Sequence, residues 1–216
     1  MKLQKILNKF QKLHSREIDL SLDRIRLLMS ELGNVQDKIK CIQVAGTNGK
    51  GSSIAFLWSI LKEANYKCNV YSSPHISCIN ERFIYNNEMI SDDDLANLLN
   101  EVHEVNNGKP LTYFEALTAT FFLGCMKYQD NIVLAEFGLF GRGDAVNILK
   151  KNLANCITSI SYDHGDWLPK NDRTIERIIY EKTSALLNSN IIVAKQSSHK
   201  IVECIKKNIS NNSANK

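Results

Sequence analysis

A lysine set among glycines is the clearest chemical feature of the chain. Residues 44 to 52 read VAGTNGKGS. Glycines let a backbone approach an anion closely, N–H groups at a helix start point towards it, and the lysine adds a mobile positive charge. The segment therefore predicts a phosphate-binding loop formed by Gly46, Thr47, Asn48, Gly49, Lys50, Gly51 and Ser52.

The spacing of this loop differs from the common pattern G-x-x-x-x-G-K-[ST]. Two residues separate Gly46 from Gly49, and Gly51 stands where the common loop has its magnesium-binding hydroxyl. Mg²⁺ takes oxygen ligands, often one or two carboxylates together with substrate phosphate. We therefore expect groups elsewhere in the chain to help hold the metal. A Gly-Asn turn without a ligand is the plain alternative, since a G-K pair alone is weak evidence.

Three more polar residues each stand at or near the end of a predicted strand, namely Ser73, Glu136 and His164. The carboxyl ends of parallel strands meet at one edge of a sheet, where open α/β sheets bind ligands. Ser73 and Glu136 offer oxygen atoms and are candidate metal ligands. Each residue alone has a structural reading, as a turn hydroxyl, a paired acid or a hydrogen-bonded histidine. Their shared position favours a site.

Apolar periodicity and turn signals predict alternating strands and helices. Strands are predicted over 39–45, 68–72, 131–138, 155–161 and 191–194, and helices over 22–32, 52–66, 174–187 and 199–209. Capping patterns at Ser91 and Thr112 open two more helices, and residues 73–90 form a long loop or an irregular hairpin. Strand, glycine turn, helix and strand make a βαβ unit, so we predict a doubly wound, mostly parallel α/β sheet with a P-loop.

Composition narrows the classes of protein. The net charge is +4 over 216 residues, without a basic stripe interleaved with aromatic residues, so we expect no nucleic-acid partner. No apolar run reaches the roughly 18 to 20 residues of a membrane span. The amphipathic N-terminus is typical of a domain-capping helix rather than a secretory signal. Six cysteines without a C-x-x-C pair predict reduced, mostly buried thiols in a cytoplasmic protein.

Several motifs in order resemble the Mur-ligase superfamily, and within it the folylpolyglutamate synthase and dihydrofolate synthase family. They are VAGTNGKGS, YSSPHISCINERF, TYFEALTATFF, LAEFGLFGRGDAVN, SISYDHGDWL and EKTSALL. The resemblance runs from about Leu22 to Gln196, and the ordered set is highly specific. It implies a ligase in which ATP phosphorylates a carboxylate of dihydropteroate or of a folate. The amino group of L-glutamate then attacks the acyl phosphate and forms an amide.

The resemblance also implies roles for individual residues. Gly46 to Ser52 would hold the ATP phosphates, Ser73 and Glu136 a first magnesium ion, and Glu136 and His164 a second. Lys182 matches a lysine that the family carbamylates, although by itself it is read as a solvated helix lysine. The expected catalytic residues are Lys50, His164 and Lys182, and the expected cofactors are ATP and Mg²⁺. The complete enzyme is expected to be a monomer with small-molecule substrates.

Further segments resemble the family's substrate-binding region. They contribute Pro74, His75, Glu81 and Arg82 from the loop after Ser73, then Thr112, Phe114, Glu115, Asp144 and Asn147. Capping and turn roles explain these residues equally well from propensity alone.

Residues 138–147 depart from the family pattern Gly-Leu-Gly-Gly-Arg-x-Asp-Ala-Thr-Asn. Phe140 replaces the first glycine of the pair, Gly143 replaces a bulky residue, and Val146 replaces threonine. If that glycine requires a positive φ, Phe140 strains the backbone by roughly 1 kcal/mol or more.

We expect residues 1–209 to form a partial N-terminal ATP-binding domain of the Mur-ligase type, with residues 210–216 as a polar tail and the C-terminal ligase domain absent. The sheet is then expected to be incomplete at its C-terminal end. Two alternatives stand beside the folate ligase. A non-catalytic nucleotide-binding fragment or split-enzyme subunit would keep the loop. A peptidoglycan Mur ligase would keep the fold, but usually places Thr or Ser where this chain has Gly51.

Overall fold

The computed structural model describes residues 2–13, 19–184, 186 and 190–214. The α-helices in these ranges are α1 (Lys2–Gln11), α2 (Asp23–Glu31), α3 (Lys50–Glu63), α4 (Asp92–Asn106), α5 (Tyr113–Gly124), α6 (Ile175–Thr183) and α7 (His199–Ala214). The strands are β1 (Lys40–Ala45), β2 (Cys68–Tyr71), β3 (Phe83–Tyr85), β4 (Glu88–Met89), β5 (Ile132–Glu136), β6 (Ala154–Ile157) and β7 (Asn190–Val193).

The seven strands form one sheet in the order β4-β3-β2-β5-β1-β6-β7. β2, β5, β1, β6 and β7 run parallel, whereas β3 and β4 add an antiparallel hairpin at one edge. The predicted mostly parallel α/β sheet is confirmed, and the irregular hairpin expected within 73–90 is the β3–β4 pair. Asn86 and Asn87 turn this hairpin with φ of 53° and 70°, a conformation that asparagine tolerates better than most residues.

Local capping signals account for the starts of α4 and α5. The Ser91 hydroxyl accepts a hydrogen bond from Asp94 N, and Thr112 with Glu115 forms a capping box. α5 is buried almost all round, which agrees with its apolar sequence.

α7 continues to Ala214, beyond the predicted end at Ile209, so residues 210–214 of the predicted tail are helical. α6 ends at Thr183, whereas its predicted end at Leu187 lies outside the described residues. The predicted N-terminal capping helix is α1, which buries Ile6 and packs against α4.

The two faces of the sheet are covered unequally. The larger apolar core includes side chains from α1, α2, α4, α5, α6 and α7. α3 covers the opposite face with a smaller core around Ile54, Val44 and Leu134. In the edge strand β7, Ile192 is 58% exposed. It pairs with Cys156 of β6, which packs against that smaller core. The β7 edge is therefore poorly covered on this face.

All six cysteines are free, with Cys41, Cys68 and Cys125 buried, Cys156 and Cys204 half-buried, and Cys78 exposed. This agrees with the predicted unpaired thiols. Within the described ranges, no helix combines the length and the apolar character needed to cross a membrane.

Candidate functional site

The glycine-rich loop joins β1 to α3 and needs its glycines at two positions. Gly46 has a φ of 142°, and a Cβ placed there would collide with the Thr158 hydroxyl and lie 3.2 Å from Thr158 N. Gly49 precedes α3 with a φ of 83°. Both angles lie in a region that L-residues with side chains rarely adopt. The loop therefore passes close to β6 and turns sharply into the helix.

Backbone and hydroxyl groups tie this loop to the segment after β6. Thr47 N donates a 2.8 Å hydrogen bond to Ser159 O. The Thr47 hydroxyl donates to Ser161 O and accepts from Ser161 N, both at 3.1 Å. Sequence reasoning did not single out Ser159 and Ser161, although their place at the end of a predicted strand was a signal. These contacts hold the loop in shape without a ligand.

The positive charge of Lys50 lies among the other candidate residues. Its Nζ donates to Thr47 O at 3.2 Å, and it forms no ion pair with a carboxylate among the residues that the structure describes. Its charge acts on the pKa values of Glu136, His164 and Lys182. Contacts agree with this: a Cβ on Gly51 would lie 3.6 Å from Glu136 Oε2, and the Phe140 ring lies 5.5 Å from Lys182 Nζ and 6.2 Å from the His164 ring. Four of the predicted site residues, from four separate segments, therefore lie at the carboxyl edge of the sheet.

Glu136 and Ser73 lie side by side at the ends of β5 and β2. Glu136 Oε2 accepts a 3.0 Å hydrogen bond from Ser73 N, and the carboxylate is 4% exposed. Burial raises the pKa of Glu136, while the Ser73 N–H, Lys50 and Arg82 act in the opposite direction. A Cβ on Gly51 would lie 3.6 Å from Glu136 Oε2. The missing side chain at Gly51 therefore leaves room directly beside this carboxylate.

His164 follows β6 in a left-handed conformation with a φ of 56°. Its Nε2 lies 3.2 Å from Asp163 Oδ2, which orients the ring. Burial lowers the pKa of His164; Asp163 raises it, and Lys182 and Lys50 lower it further. The lowered pKa favours the neutral ring, which has a lone pair available to a ligand.

Lys182 is 1% exposed, so its interpretation as a solvated helix lysine is wrong. Its Nζ donates to Gly46 O at 3.0 Å and to Leu139 O at 2.9 Å. Burial, followed by the charge of Lys50, lowers the pKa of Lys182 to about 8. The side chain joins the phosphate-binding loop to the segment after β5 and has a sizeable neutral fraction near pH 8.

Phe140 does not cause the strain expected from the departure in residues 138–147. It is absent from the residues with positive φ, and its ring is buried 5.5 Å from Lys182 Nζ. The adjacent Gly141 is the position that needs a glycine, because a Cβ there would lie 2.8 Å from Lys182 O. A Cβ on Gly143 would similarly lie 2.7 Å from Leu20 O, which explains the second departure.

Two acidic residues fix the shape of residues 138–147. Asp144 accepts hydrogen bonds from Leu139 N at 2.9 Å and Val146 N at 3.0 Å. Burial raises the pKa of Asp144 to about 6, although these N–H groups act in the opposite direction. Arg142 donates two 2.9 Å hydrogen bonds to the buried carboxylate of Glu181, which anchors the segment to α6.

A cavity of about 250 Å³ opens beside Ser73. Its lining contains most of the predicted substrate-binding residues, namely Pro74, Arg82, Thr112, Phe114, Glu115 and Asp144. His75, Glu81 and Asn147 do not line it. His75 Nδ1 accepts a hydrogen bond from Arg82, Glu81 caps the backbone N–H groups of residues 76–78, and Asn147 Nδ2 donates to Arg142 O.

Glu115 connects this cavity with α2. Its Oε2 accepts from Thr112 N at 2.8 Å and from Arg24 Nε at 3.1 Å. Its Oε1 is buried and has no hydrogen-bond partner in the described part of the chain. Sequence reasoning missed Arg24, because nothing in the local sequence indicates a partner 91 positions away.

The possible metal ligands at the sheet edge suit magnesium better than a metal that requires several protein ligands. No group of three or more His, Cys, Asp and Glu side chains that could hold a metal ion occurs within the described ranges. Glu136 offers one carboxylate, with space beside it at Gly51. Mg²⁺ commonly binds through one or two carboxylates and takes its other ligands from phosphate and water.

Comparison with curated proteins identifies clear relatives, although no protein-family model matches the chain. The chain is 39% identical over 173 residues to dihydrofolate synthase/folylpolyglutamate synthase of Bacillus subtilis, a match that covers 76% of this chain and 39% of the relative. It is 37% identical over 171 residues to the Escherichia coli protein of the same name, covering 79% and 40%. The chain thus spans about two fifths of these relatives' length.

Solved structures agree with this comparison. Escherichia coli FolC in complex with DHPP and ADP matches with a TM-score of 0.85 at 34% identity, covering 97% of this chain and 49% of that one. The bifunctional folylpolyglutamate synthase/dihydrofolate synthase of Yersinia pestis, complexed with AMPPNP and Mn ion, matches with a TM-score of 0.84 at 30% identity, covering 99% and 50%.

Proposed function

Because the chain belongs to the dihydrofolate synthase/folylpolyglutamate synthase family, we propose that it supplies the ATP- and magnesium-binding part of a ligase. The reaction joins L-glutamate to dihydropteroate, to folates or to both. The observation that carries this proposal is the geometry at one sheet edge, where Lys182 Nζ donates to Gly46 O of the loop and Glu136 adjoins Gly51, the residue after Lys50. Glu136 also accepts from Ser73 N, which lies beside a cavity of about 250 Å³.

In the first step, a carboxylate oxygen of the substrate forms a bond to the γ-phosphorus of ATP, and the bond from that phosphorus to the β–γ bridging oxygen breaks. ADP leaves with the electron pair. The amino nitrogen of glutamate then attacks the acyl carbon, phosphate leaves, and the nitrogen loses a proton. Phosphoryl transfer depends mainly on positioning and on neutralising charge. Lys50 and the N–H groups of the loop would provide both for the phosphates.

Ser73, Glu136 and His164 would hold magnesium, which when bound supplies further charge neutralisation at the transferred phosphoryl group. The neutral tendency of His164 and the space beside Glu136 support this assignment. Asp163 would position the His164 ring.

Lys182 would be the carbamylated lysine. Carbamylation needs a neutral amine, whose nitrogen bonds to the carbon of CO₂ and loses a proton, leaving an anion where a cation stood. The pKa of about 8 supports this role, because an ordinary lysine near 10.5 is almost wholly protonated at neutral pH.

The cavity would receive the pteridine and benzoate rings of the substrate. Phe114 and Leu139 offer apolar surface, and Asp144 and Glu115 are acceptors for ring N–H groups. The single unpartnered oxygen of Glu115 supports such a contact.

We also propose that residues 1–209 belong to one ATP-binding domain, that the protein acts in the cytoplasm, and that the complete enzyme is a monomer. Six free cysteines support the cytoplasmic location, and one continuous sheet supports the single domain.

Calorimetry with magnesium-ATP tests the nucleotide site. The unaltered chain should bind, and Lys50→Ala should weaken binding by about tenfold or more, since hydrogen bonds to charged groups contribute about 1.5 to 3 kcal/mol. Lys5→Ala removes an exposed lysine of α1 and should leave the affinity unchanged. A chain that melts cooperatively but does not bind magnesium-ATP contradicts the proposal. Binding without ligation in any reconstituted enzyme would favour the non-catalytic alternative.

A further inference from the structure

We propose that Arg82 binds the carboxylate of the substrate at the Ser73 end of the cavity, and that His75 positions its guanidinium group. The inference rests on the proposed function and assigns a residue to the reacting end of the substrate.

Arg82 is placed and oriented for such a contact. It ends the 3-10 turn Ile79–Arg82, immediately before β3, and its half-buried side chain lines the cavity together with Ser73. Its Nε donates a 2.9 Å hydrogen bond to His75 Nδ1. This bond uses the inner nitrogen of the guanidinium and leaves the two terminal nitrogens, which form the fork that binds a carboxylate through two parallel hydrogen bonds.

The charges around the cavity leave Arg82 as the group that attracts an anion. The acidic residues of the lining are Asp19, Glu115 and Asp144. Arg82 is the one cationic side chain of the lining within the described ranges. Arg24 pairs with both Asp19 and Glu115, so Arg82 is the positive charge of the lining that is left to attract a substrate carboxylate. The carboxylate would bind at Arg82, and the ring N–H groups would meet acceptors elsewhere on the lining.

Arg82 also differs from the other arginines near the site. Arg24, Arg142 and Arg177 each form an ion pair with a carboxylate of the chain. Arg82 forms none with any described residue. A half-buried arginine that is oriented by a histidine but has no anion is suited to an external carboxylate.

The position agrees with the chemistry of the reacting end. Ser73 N bonds to Glu136 Oε2 at 3.0 Å, so the Ser73 end of the cavity adjoins the residues proposed for magnesium and phosphate. A carboxylate must lie at this junction to reach the γ-phosphorus of ATP.

The test compares two ligands on matched variants. The probes are 7,8-dihydropteroate and its analogue without the carboxylate, with binding measured by calorimetry in the presence of magnesium-ADP. The unaltered chain should bind dihydropteroate about tenfold or more tightly than the analogue. Arg82→Met should bring this ratio close to one by weakening dihydropteroate alone. His75→Ala should reduce the ratio partially and leave the analogue's affinity unchanged.

Two controls keep the result unambiguous. Arg26→Met removes an exposed arginine of α2 and should leave the ratio unchanged. Arg82→Lys keeps the charge but not the planar fork, so its ratio should fall between those of the unaltered chain and the methionine variant. It also replaces that variant if Arg82→Met does not melt cooperatively.

The possible results distinguish failure of the role of Arg82 from failure of the proposed function. The role of Arg82 is overturned if Arg82→Met retains the ratio of the affinities for dihydropteroate and its analogue. It is also overturned if this ratio is the same in Arg82→Lys as in the unaltered chain. An equal loss for both ligands also overturns it, because it indicates a disturbed cavity rather than a lost carboxylate contact. Failure of the unaltered chain to bind either pteridine contradicts the proposed function itself, and the role of Arg82 with it.

Discussion

The phosphate-binding loop and the neighbouring cavity are built in different ways. The loop is one stretch of seven residues, Gly46 to Ser52, held by backbone contacts with the segment after β6. The cavity is assembled from segments between Asp19 and Ala145, and its charged lining is mostly acidic. The cations Lys50 and Lys182 lie on the loop side. The contrast suits a polyanion on one side and a ring with N–H donors on the other.

The largest effect is expected where the loop has no room for a side chain. Gly46→Ala combines a positive φ with a collision at Thr158, and should lower the free energy of unfolding by about 3 kcal/mol or more. Gly33→Ala is the matched control, since Gly33 also has a positive φ of 79° but no atom within 4 Å of a Cβ; it should cost about 1 kcal/mol. Urea denaturation of both measures the difference. Equal costs would mean that the loop does not depend on its close contact with Thr158, the residue after β6.

Lys182 should link the stability of the loop side to pH. A lysine in the unfolded chain titrates near 10.5, whereas burial lowers the folded pKa of Lys182 to about 8. Between these values the unfolded chain binds more protons, so this residue makes stability rise with pH from about 8 to 10.5, by up to about 1.4 kcal/mol per unit. Below pH 8 its destabilising contribution is constant.

Lys182→Met lacks this contribution. The free energy of unfolding of the unaltered chain minus that of the variant should therefore increase by about 2 to 3 kcal/mol between pH 8 and 10.5. Lys5→Met, at an exposed position, should give a constant difference. Parallel curves for Lys182→Met and the unaltered chain would show that Lys182 is not buried as a cation.

On the cavity side, Thr112→Ala should have a smaller effect. Its hydroxyl accepts from Glu115 N at 3.2 Å in a buried capping box, and its loss should cost about 1 to 2 kcal/mol. Ser91→Ala removes the equivalent but exposed cap of α4 and should cost about 0.5 to 1 kcal/mol. Thermal unfolding of the pair checks the order. A reversed order would contradict a rigid cavity wall at Thr112.

Gly51→Ser should have the smallest effect on stability, within about 0.5 kcal/mol. Gly51 has no positive φ, and a Cβ there meets Glu136 Oε2 at an ordinary contact distance of 3.6 Å. The new hydroxyl would stand where the common phosphate-binding loop has one. Magnesium-ATP calorimetry should give an affinity within about threefold of the unaltered chain. A large loss would show that the space beside Glu136 must remain open.

The alternation of strands and helices could be predicted because its signals are local. Apolar periodicity, the caps at Ser91 and Thr112, and the glycine turn after β1 each act over a few residues. The parallel order then follows from the βαβ connection, which places the ends of β1, β2, β5 and β6 at one edge. Ser73 and Glu136 were therefore predicted to be neighbours, and the Ser73 N to Glu136 Oε2 distance of 3.0 Å agrees.

Other features were decided by tertiary structure alone. Lys182 looks like a surface residue in sequence and is 1% exposed, because α6 packs over the segment after β5. Phe140 was expected to strain a turn, but its buried ring instead packs next to Lys182.

By itself, the sequence determined the α/β fold and the phosphate-binding loop, since backbone conformation and periodicity depend on neighbouring residues. Burial, ion pairing and cavity shape depend on residues far apart in the chain, and each pair is only one of many that the sequence permits. The Arg24–Glu115 ion pair and the single cation of the cavity lining, Arg82, therefore emerged only when the chain was folded.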